Sequence, residues 1–155
     1  MLGKLAGAVL ALSLLSGCAS IVEGTVQTVK IEAKLPDGTF VEGADCELSN
    51  DEGKYRVTTP GYVEIRRSLS QLKINCVKGR LYAANARGKP FANAGMLGNV
   101  LFFGGVAGVT IDHFRGTGYS YPEWMQLVFG KYLVFSRFND SWGMPSVGIE
   151  QNSYP

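Results

Sequence analysis

The clearest strand pattern in the chain is Leu72-Lys73-Ile74-Asn75-Cys76-Val77. Apolar and polar side chains alternate along it, and a period of two is typical of a β-strand with one buried face. Residues 44–49 repeat the pattern, with Ala44, Cys46 and Leu48 in the apolar positions. Each cysteine therefore falls on the buried face of its predicted strand.

Cys46 and Cys76 are predicted to form a disulfide. They are 30 positions apart, and closing a loop of that length removes roughly 3 to 4 kcal/mol of entropy from the unfolded chain. Two buried free thiols and a redox-active pair are the alternatives. A spacing far from Cys-x-x-Cys disfavours redox chemistry.

Further strand and turn signals surround this pair. Residues 29–33 alternate in the same way and end at the turn tripeptide Pro36-Asp37-Gly38. Additional short strands are predicted at 55–57, 63–65 and 81–84, with Gly and Pro between them. The prediction is a mainly β fold, in which residues 23–90 form a small antiparallel β-sandwich.

The N-terminus has the features of a secretory signal. Lys4 precedes an apolar run that is too short for a spanning helix. The following Leu15-Ser16-Gly17-Cys18 resembles the bacterial lipobox. That resemblance implies removal of residues 1–17, lipid on the Cys18 thiol, and an acyl chain such as palmitate on the new amine. An uncleaved apolar anchor with a buried Cys18 is the alternative.

The residue after the lipobox cysteine predicts the destination. In the lipoproteins that this motif resembles, Asp at this position retains the protein in the inner membrane, and here it is Ala19. We therefore expect a lipid-anchored protein of the outer membrane that faces the periplasm, with 18–22 as its linker.

A wider resemblance covers residues 18–123. It is carried by Gly43-Ala44-x-Cys46-x-Leu48-x-Asn50-x-x-Gly53, by Thr59-Pro60-x-x-Val63 and by Gly104-Gly105-x-x-Gly108. The pattern is similar to that of an uncharacterised proteobacterial lipoprotein family with a PEGA-like β domain. The resemblance implies an extracytoplasmic, non-catalytic structural or binding module, and it implies no substrate.

Residues 91–123 contain a glycine-rich apolar segment. Positions 94–111 carry no charge over 18 residues, and a helix of that length measures about 27 Å. A membrane-inserted or self-associating helix, a helix packed on the β domain, and a hairpin are the three interpretations. The glycines predicted to pack against a membrane or partner are Gly98, Gly104, Gly105 and Gly108. The following Tyr119, Tyr121 and Trp124 fit either an interfacial aromatic belt or core residues.

A basic stretch spans residues 66–89. Its residues predicted to contact anionic lipid headgroups are Arg66, Arg67, Lys73, Lys78 and Arg80, and Arg87 and Lys89 extend it. Ordinary solvated strand faces are the alternative explanation.

The C-terminal third divides into two parts. Residues 124–140 are predicted to form a hairpin or two edge strands around Gly130-Lys131, and 141–155 a mobile tail.

Composition narrows the function classes. A net charge of +2 gives no large basic field for nucleic acid. The single histidine, His113, adjoins Asp112 in sequence, where neighbouring side chains diverge, so a catalytic dyad is not predicted. We expect no enzyme, metal, cofactor or small-molecule substrate.

The predicted function is therefore that of an outer-membrane lipoprotein with a structural or interaction role. Its expected partners are the membrane, through the N-terminal lipid, and an envelope protein or a second copy of the chain. A module that binds an envelope glycolipid or protein, and a phage-type exclusion lipoprotein, are the alternatives.

Overall fold

The computed structural model describes residues 25–92 and 118–152. Eleven strands and one 3-10 turn, Arg137–Asn139, form the described fold. The strands are Val26–Lys34 (β1), Asp45–Asn50 (β2), Gly53–Thr58 (β3), Gly61–Arg66 (β4), Leu72–Val77 (β5), Ala84–Gly88 (β6), Phe91–Ala92 (β7), Tyr119–Ser120 (β8), Trp124–Val128 (β9), Tyr132–Phe135 (β10) and Gly148–Glu150 (β11).

The alternating segments form strands with one buried face, as predicted. Leu72, Ile74 and Cys76 of β5 are buried, while the residues between them are exposed. Cys46 lies directly opposite Cys76 in the β2–β5 pair, and the two form a disulfide. The predicted pairing of the cysteines is thus confirmed.

Two main sheets pack face to face. One has three strands in the order β4-β1-β9, and the other has six in the order β11-β10-β6-β5-β2-β3. Their facing side chains form one core that includes Ile31, Leu48, Leu72 and Leu127. The chain is mainly β and sandwich-like, which confirms the predicted fold class, while the predicted glycine-rich helix or hairpin lies outside the described residues.

Two parallel strand pairs separate this sandwich from the purely antiparallel one predicted. β9 pairs with β1, and β10 pairs with β6, both in parallel. Of the two predictions for 124–140, the hairpin is therefore wrong, because β9 and β10 belong to different sheets. The alternative of two edge strands holds for β9 but not for β10, which lies between β6 and β11. Gly130, at a φ of 79° that favours glycine, lies where the chain passes from one sheet to the other.

The segment 141–155, predicted to be mobile throughout, contains strand β11. This strand pairs with β10, and Gly148 allows the close approach, since a Cβ there would lie 2.7 Å from Cε1 of Phe135. The strand predicted at 81–84 instead starts at Ala84. A turn precedes it, in which the Leu81 N–H donates to the carbonyl of Lys78.

A buried tyrosine joins the two described parts of the chain. The Gln27 side chain donates to the Tyr121 carbonyl at 2.8 Å and accepts from its N–H at 2.9 Å. The Tyr121 hydroxyl donates to the carbonyl of Ser70 at 2.6 Å and accepts from Asn50 at 3.3 Å. Tyr121 is 0% exposed, so of the two interpretations of this aromatic, the core residue is the one observed.

The disulfide is expected to contribute strongly to stability. In a Cys18→Ser background, which leaves the pair as the remaining cysteines, reduction should lower the free energy of unfolding by about 3 kcal/mol, because the unfolded chain regains its loop entropy. Urea unfolding with and without reductant measures this difference. Identical midpoints in the two conditions would contradict a stabilising disulfide.

Candidate functional site

The outward face of the six-stranded sheet holds an open cleft of about 910 Å³. Strands β2, β3, β5 and β6 line it, together with Tyr132 at the start of β10. Most of the side chains that line it occupy the outward positions of the alternating strands. The same periodicity that builds the core therefore also builds the cleft.

The strand register brings three polar side chains of this face into one row. Ser49 of β2 is opposite Lys73 of β5, and Lys73 is opposite Arg87 of β6. Directly opposed side chains in a sheet have Cβ atoms about 4.5 to 5.5 Å apart, so Lys73 and Arg87 leave the sheet at neighbouring positions. Like charges in this arrangement destabilise a sheet.

Carboxylates on the same face are engaged elsewhere. Glu47 lies 3.7 Å from both Lys54 and Arg56 of the edge strand β3. Asp45 accepts a hydrogen bond from the Thr58 hydroxyl at 3.4 Å. Within the described part of the chain, neither Lys73 nor Arg87 forms an ion pair with a carboxylate.

Neighbouring side chains orient Arg87. Its guanidinium carbon lies 5.7 Å from the centre of the Tyr132 ring, a cation–π distance. Beside it, the Asn75 amide donates to Asn85 at 2.7 Å. The arrangement offers positive charge and hydrogen-bond donors on an open surface, which suits an anion.

The outward face of the three-stranded sheet carries a second polar cluster. Glu32 accepts hydrogen bonds from Trp124 at 2.8 Å and Gln126 at 2.7 Å, and it pairs with Lys30 at 2.7 Å. Lys30 also lies 3.9 Å from the centre of the Trp124 ring. Because these groups satisfy one another, the cluster ties β1 to β9 and leaves little bonding capacity for a ligand.

These hydrogen bonds determine the acidity of Glu32. Burial raises the pKa of its carboxyl. The hydrogen bonds from Lys30, Gln126 and Trp124, together with the charge of Lys30, lower the pKa by more than burial raises it. The pKa therefore lies below the ordinary value of 4.5. The carboxylate of the cluster stays charged at neutral pH.

Different segments of the chain leave the sandwich at its two ends. We call one end of the sandwich basal. Strand β1 begins there, with Val26 opposite Arg66 at the end of β4. Strands β2, β6 and β10 also end there. The distal end holds the Thr59–Pro60 turn and the Gly130 turn. Ala92 and Gly118 flank the apolar segment, and the β7–β8 pair and the Gln27–Tyr121 bonds place them at the basal end.

Large apolar side chains are exposed at the basal end. Trp142 is fully exposed, in the loop that joins β10 to β11. The exposed apolar residues of this end are Val26, Leu69, Phe91, Phe138, Trp142 and Met144. The distal end also exposes apolar side chains, namely Phe40, Val77, Leu81 and Tyr82, but Trp142 is the most exposed of all of them.

The structure separates the five predicted lipid-contacting cations. Arg66 and Arg67 lie at the basal end, Lys78 and Arg80 at the distal end, and Lys73 on the outward sheet face. The Lys78 ammonium donates to the Gly43 carbonyl at 2.9 Å. Proximity in sequence therefore did not predict a common surface, because successive strands run in opposite directions.

Some predicted residues lie outside the described ranges. These are Cys18, Gly98, Gly104, Gly105, Gly108 and the Asp112–His113 neighbours. The sequence did not predict that Lys73 and Arg87 lie opposite each other, although both belong to the predicted basic stretch. Only the register of β5 against β6 reveals it.

The described ranges contain neither a cluster of metal-ligating side chains nor a membrane-spanning helix. Within residues 25–92 and 118–152, no three His, Cys, Asp or Glu side chains form a group that could hold a metal. No helix in these ranges is long and apolar enough to cross a membrane. The chain matches no protein-family model, no curated protein and no solved structure.

The lowered pKa of Glu32 predicts a pH-dependent stability. A depressed pKa in the folded state gives stability that is present above about pH 4.5 and lost as the pH falls through the folded value. The stability difference between wild type and Glu32→Gln should therefore shrink as the pH falls from 7 to below 4.5. Urea unfolding across this range measures it, and a difference that stays constant would contradict the prediction.

Proposed function

We propose that the chain is a lipoprotein of the bacterial outer membrane, anchored through Cys18 and facing the periplasm, with a non-catalytic interaction role. One observation carries the proposal: the chain leading from Cys18 and the two flanks of the apolar segment leave the sandwich at the same end. That end also exposes Trp142, Phe138 and Phe91. The basal end would therefore lie against the membrane.

The length of the linker supports this orientation. Cys18 precedes Thr25, the first described residue, by seven positions, and a chain of that length spans at most about 25 Å. Acyl chains on Cys18 would hold the basal end within that distance of the bilayer. Trp side chains favour the membrane–water interface.

The exposed surfaces support an interaction role. The open cleft on the outward face of the six-stranded sheet presents Lys73, Arg87 and Ser49. In this proposal these groups bind and orient a partner. In this proposal the anchor places the domain at the membrane surface, and the sheet faces meet envelope components there.

Lipidation is tested by the intact mass of the protein from separated inner and outer membranes. We expect an acylated product that starts at Cys18 in the outer membrane, and loss of membrane attachment in Cys18→Ala. Ala19→Asp serves as the matched variant, since it keeps the lipid and should move the protein to the inner membrane. An unacylated wild-type product would overturn the proposal.

Membrane contact by the basal end is tested by fluorescence. In vesicles that contain lipids with brominated acyl chains, we expect strong quenching of wild type, because Trp142 would lie at the interface. Trp142→Phe leaves Trp124 as the remaining tryptophan and should lose most of the quenching. Equal quenching in the two proteins would contradict the proposed orientation.

A further inference from the structure

We infer that Lys73 and Arg87, with the Ser49 hydroxyl beside them, form a binding site for a phosphate group. The site belongs to the folded domain. It rests on the proposed function only for the source of the phosphate, which would be a membrane glycolipid or phospholipid headgroup. A soluble phosphorylated saccharide carries the same group and is the other source.

The two opposed cations are unfavourable for the sheet itself. Lys73 and Arg87 are directly opposed, and such like-charge pairs weaken a sheet unless a counter-charge lies between them. In the described ranges neither side chain forms an ion pair, and the carboxylates of the same face, Asp45 and Glu47, bind residues of β3 instead. A bound dianion would remove the repulsion and add charge-assisted hydrogen bonds.

The three side chains offer hydrogen-bond donors of different geometry. Arg87 is held against the Tyr132 ring, which restricts its planar donor fork. Lys73 is exposed on β5, which lies between β2 and β6, and Ser49 is opposite it on β2. Arg, Lys and Ser together provide the planar fork, the mobile point charge and the hydroxyl that commonly bind phosphate oxygens.

The surrounding sheet face carries more cations than carboxylates. The same face carries Lys54 and Arg56 against Asp45 and Glu47, and Glu47 lies within 4 Å of both cations of β3. Adding Lys73 and Arg87 makes the cleft positive. A positive cleft attracts an anion.

The position in the fold connects the site to the membrane. The row lies one residue from the basal ends of its strands, since Asn50 ends β2, Leu72 begins β5 and Gly88 ends β6. One strand residue spans about 3.3 Å, which is shorter than a lysine side chain. A headgroup phosphate at the basal end would be within reach of Lys73.

The experiment compares one phosphate monoester in soluble and in lipid form. The full lipidated protein in neutral detergent micelles is titrated with glycerol phosphate, and separately with phosphatidic acid added to the micelles. We expect binding that Lys73→Gln/Arg87→Gln weakens roughly tenfold or more. Lys78→Gln/Arg80→Gln removes the same charge at the distal end and should change the affinity less than about twofold.

Thermal unfolding gives a second readout. Phosphate should raise the unfolding temperature of wild type and of the distal variant, because a ligand stabilises the folded state that binds it. The Lys73→Gln/Arg87→Gln variant should fold without phosphate, since the substitution relieves repulsion, and should gain little from added phosphate. This separates a lost site from a lost fold.

Each outcome has a defined meaning. Tighter binding of phosphatidic acid than of glycerol phosphate supports a lipid headgroup, and equal binding supports a soluble phosphorylated ligand. An equal loss of affinity in the Lys73→Gln/Arg87→Gln variant and in the distal variant would overturn the proposed site. The absence of binding of either probe would also overturn it. If the intact mass shows no lipid but phosphate binding depends on Lys73 and Arg87, the lipoprotein proposal fails while the site stands.

Discussion

The hydrogen bonds of Tyr121 hold the two described parts of the chain together. Gln27 binds both backbone groups of this residue, and the buried hydroxyl joins the end of β2 to the loop before β5. Removing a partner from a buried polar group costs about 1 to 3 kcal/mol, so these bonds fix the position of the chain that enters β9. Placement of β9 beside β1, and hence the three-stranded sheet, depends on this contact.

Sequence periodicity predicted the central strands well because each has one buried and one solvated face. β2 and β5 follow a strict alternation, and the position of their cysteines made the disulfide a direct consequence. β10 shows the opposite case. All four of its residues are buried between β6 and β11, so it carries no alternation from which its partners could be read. Its parallel pairing, and that of β9, depends on contacts far apart in sequence.

The candidate site was only partly predictable for a related reason. The basic stretch was visible in the sequence, but a stretch of sequence crosses a sheet several times and its residues end on different surfaces. Lys78 and Arg80 follow β5 to the distal end, whereas Lys73 and Arg87 meet because β5 and β6 form an antiparallel pair. A cross-strand row requires the register, and the register is determined by the core that these residues do not enter.

The parallel strand pairs have a consequence for how the protein is made. β9 lies about 90 residues after its partner β1, and β10 lies beyond β9, so neither sheet can be completed until the last third of the chain has been synthesised. Until then β1 and β6 each have an unpaired edge, and such edges are templates for association with other chains. Contacts this distant in sequence also slow folding. A chain that begins to fold before this last third is available therefore exposes both edges until β9 and β10 pair with them.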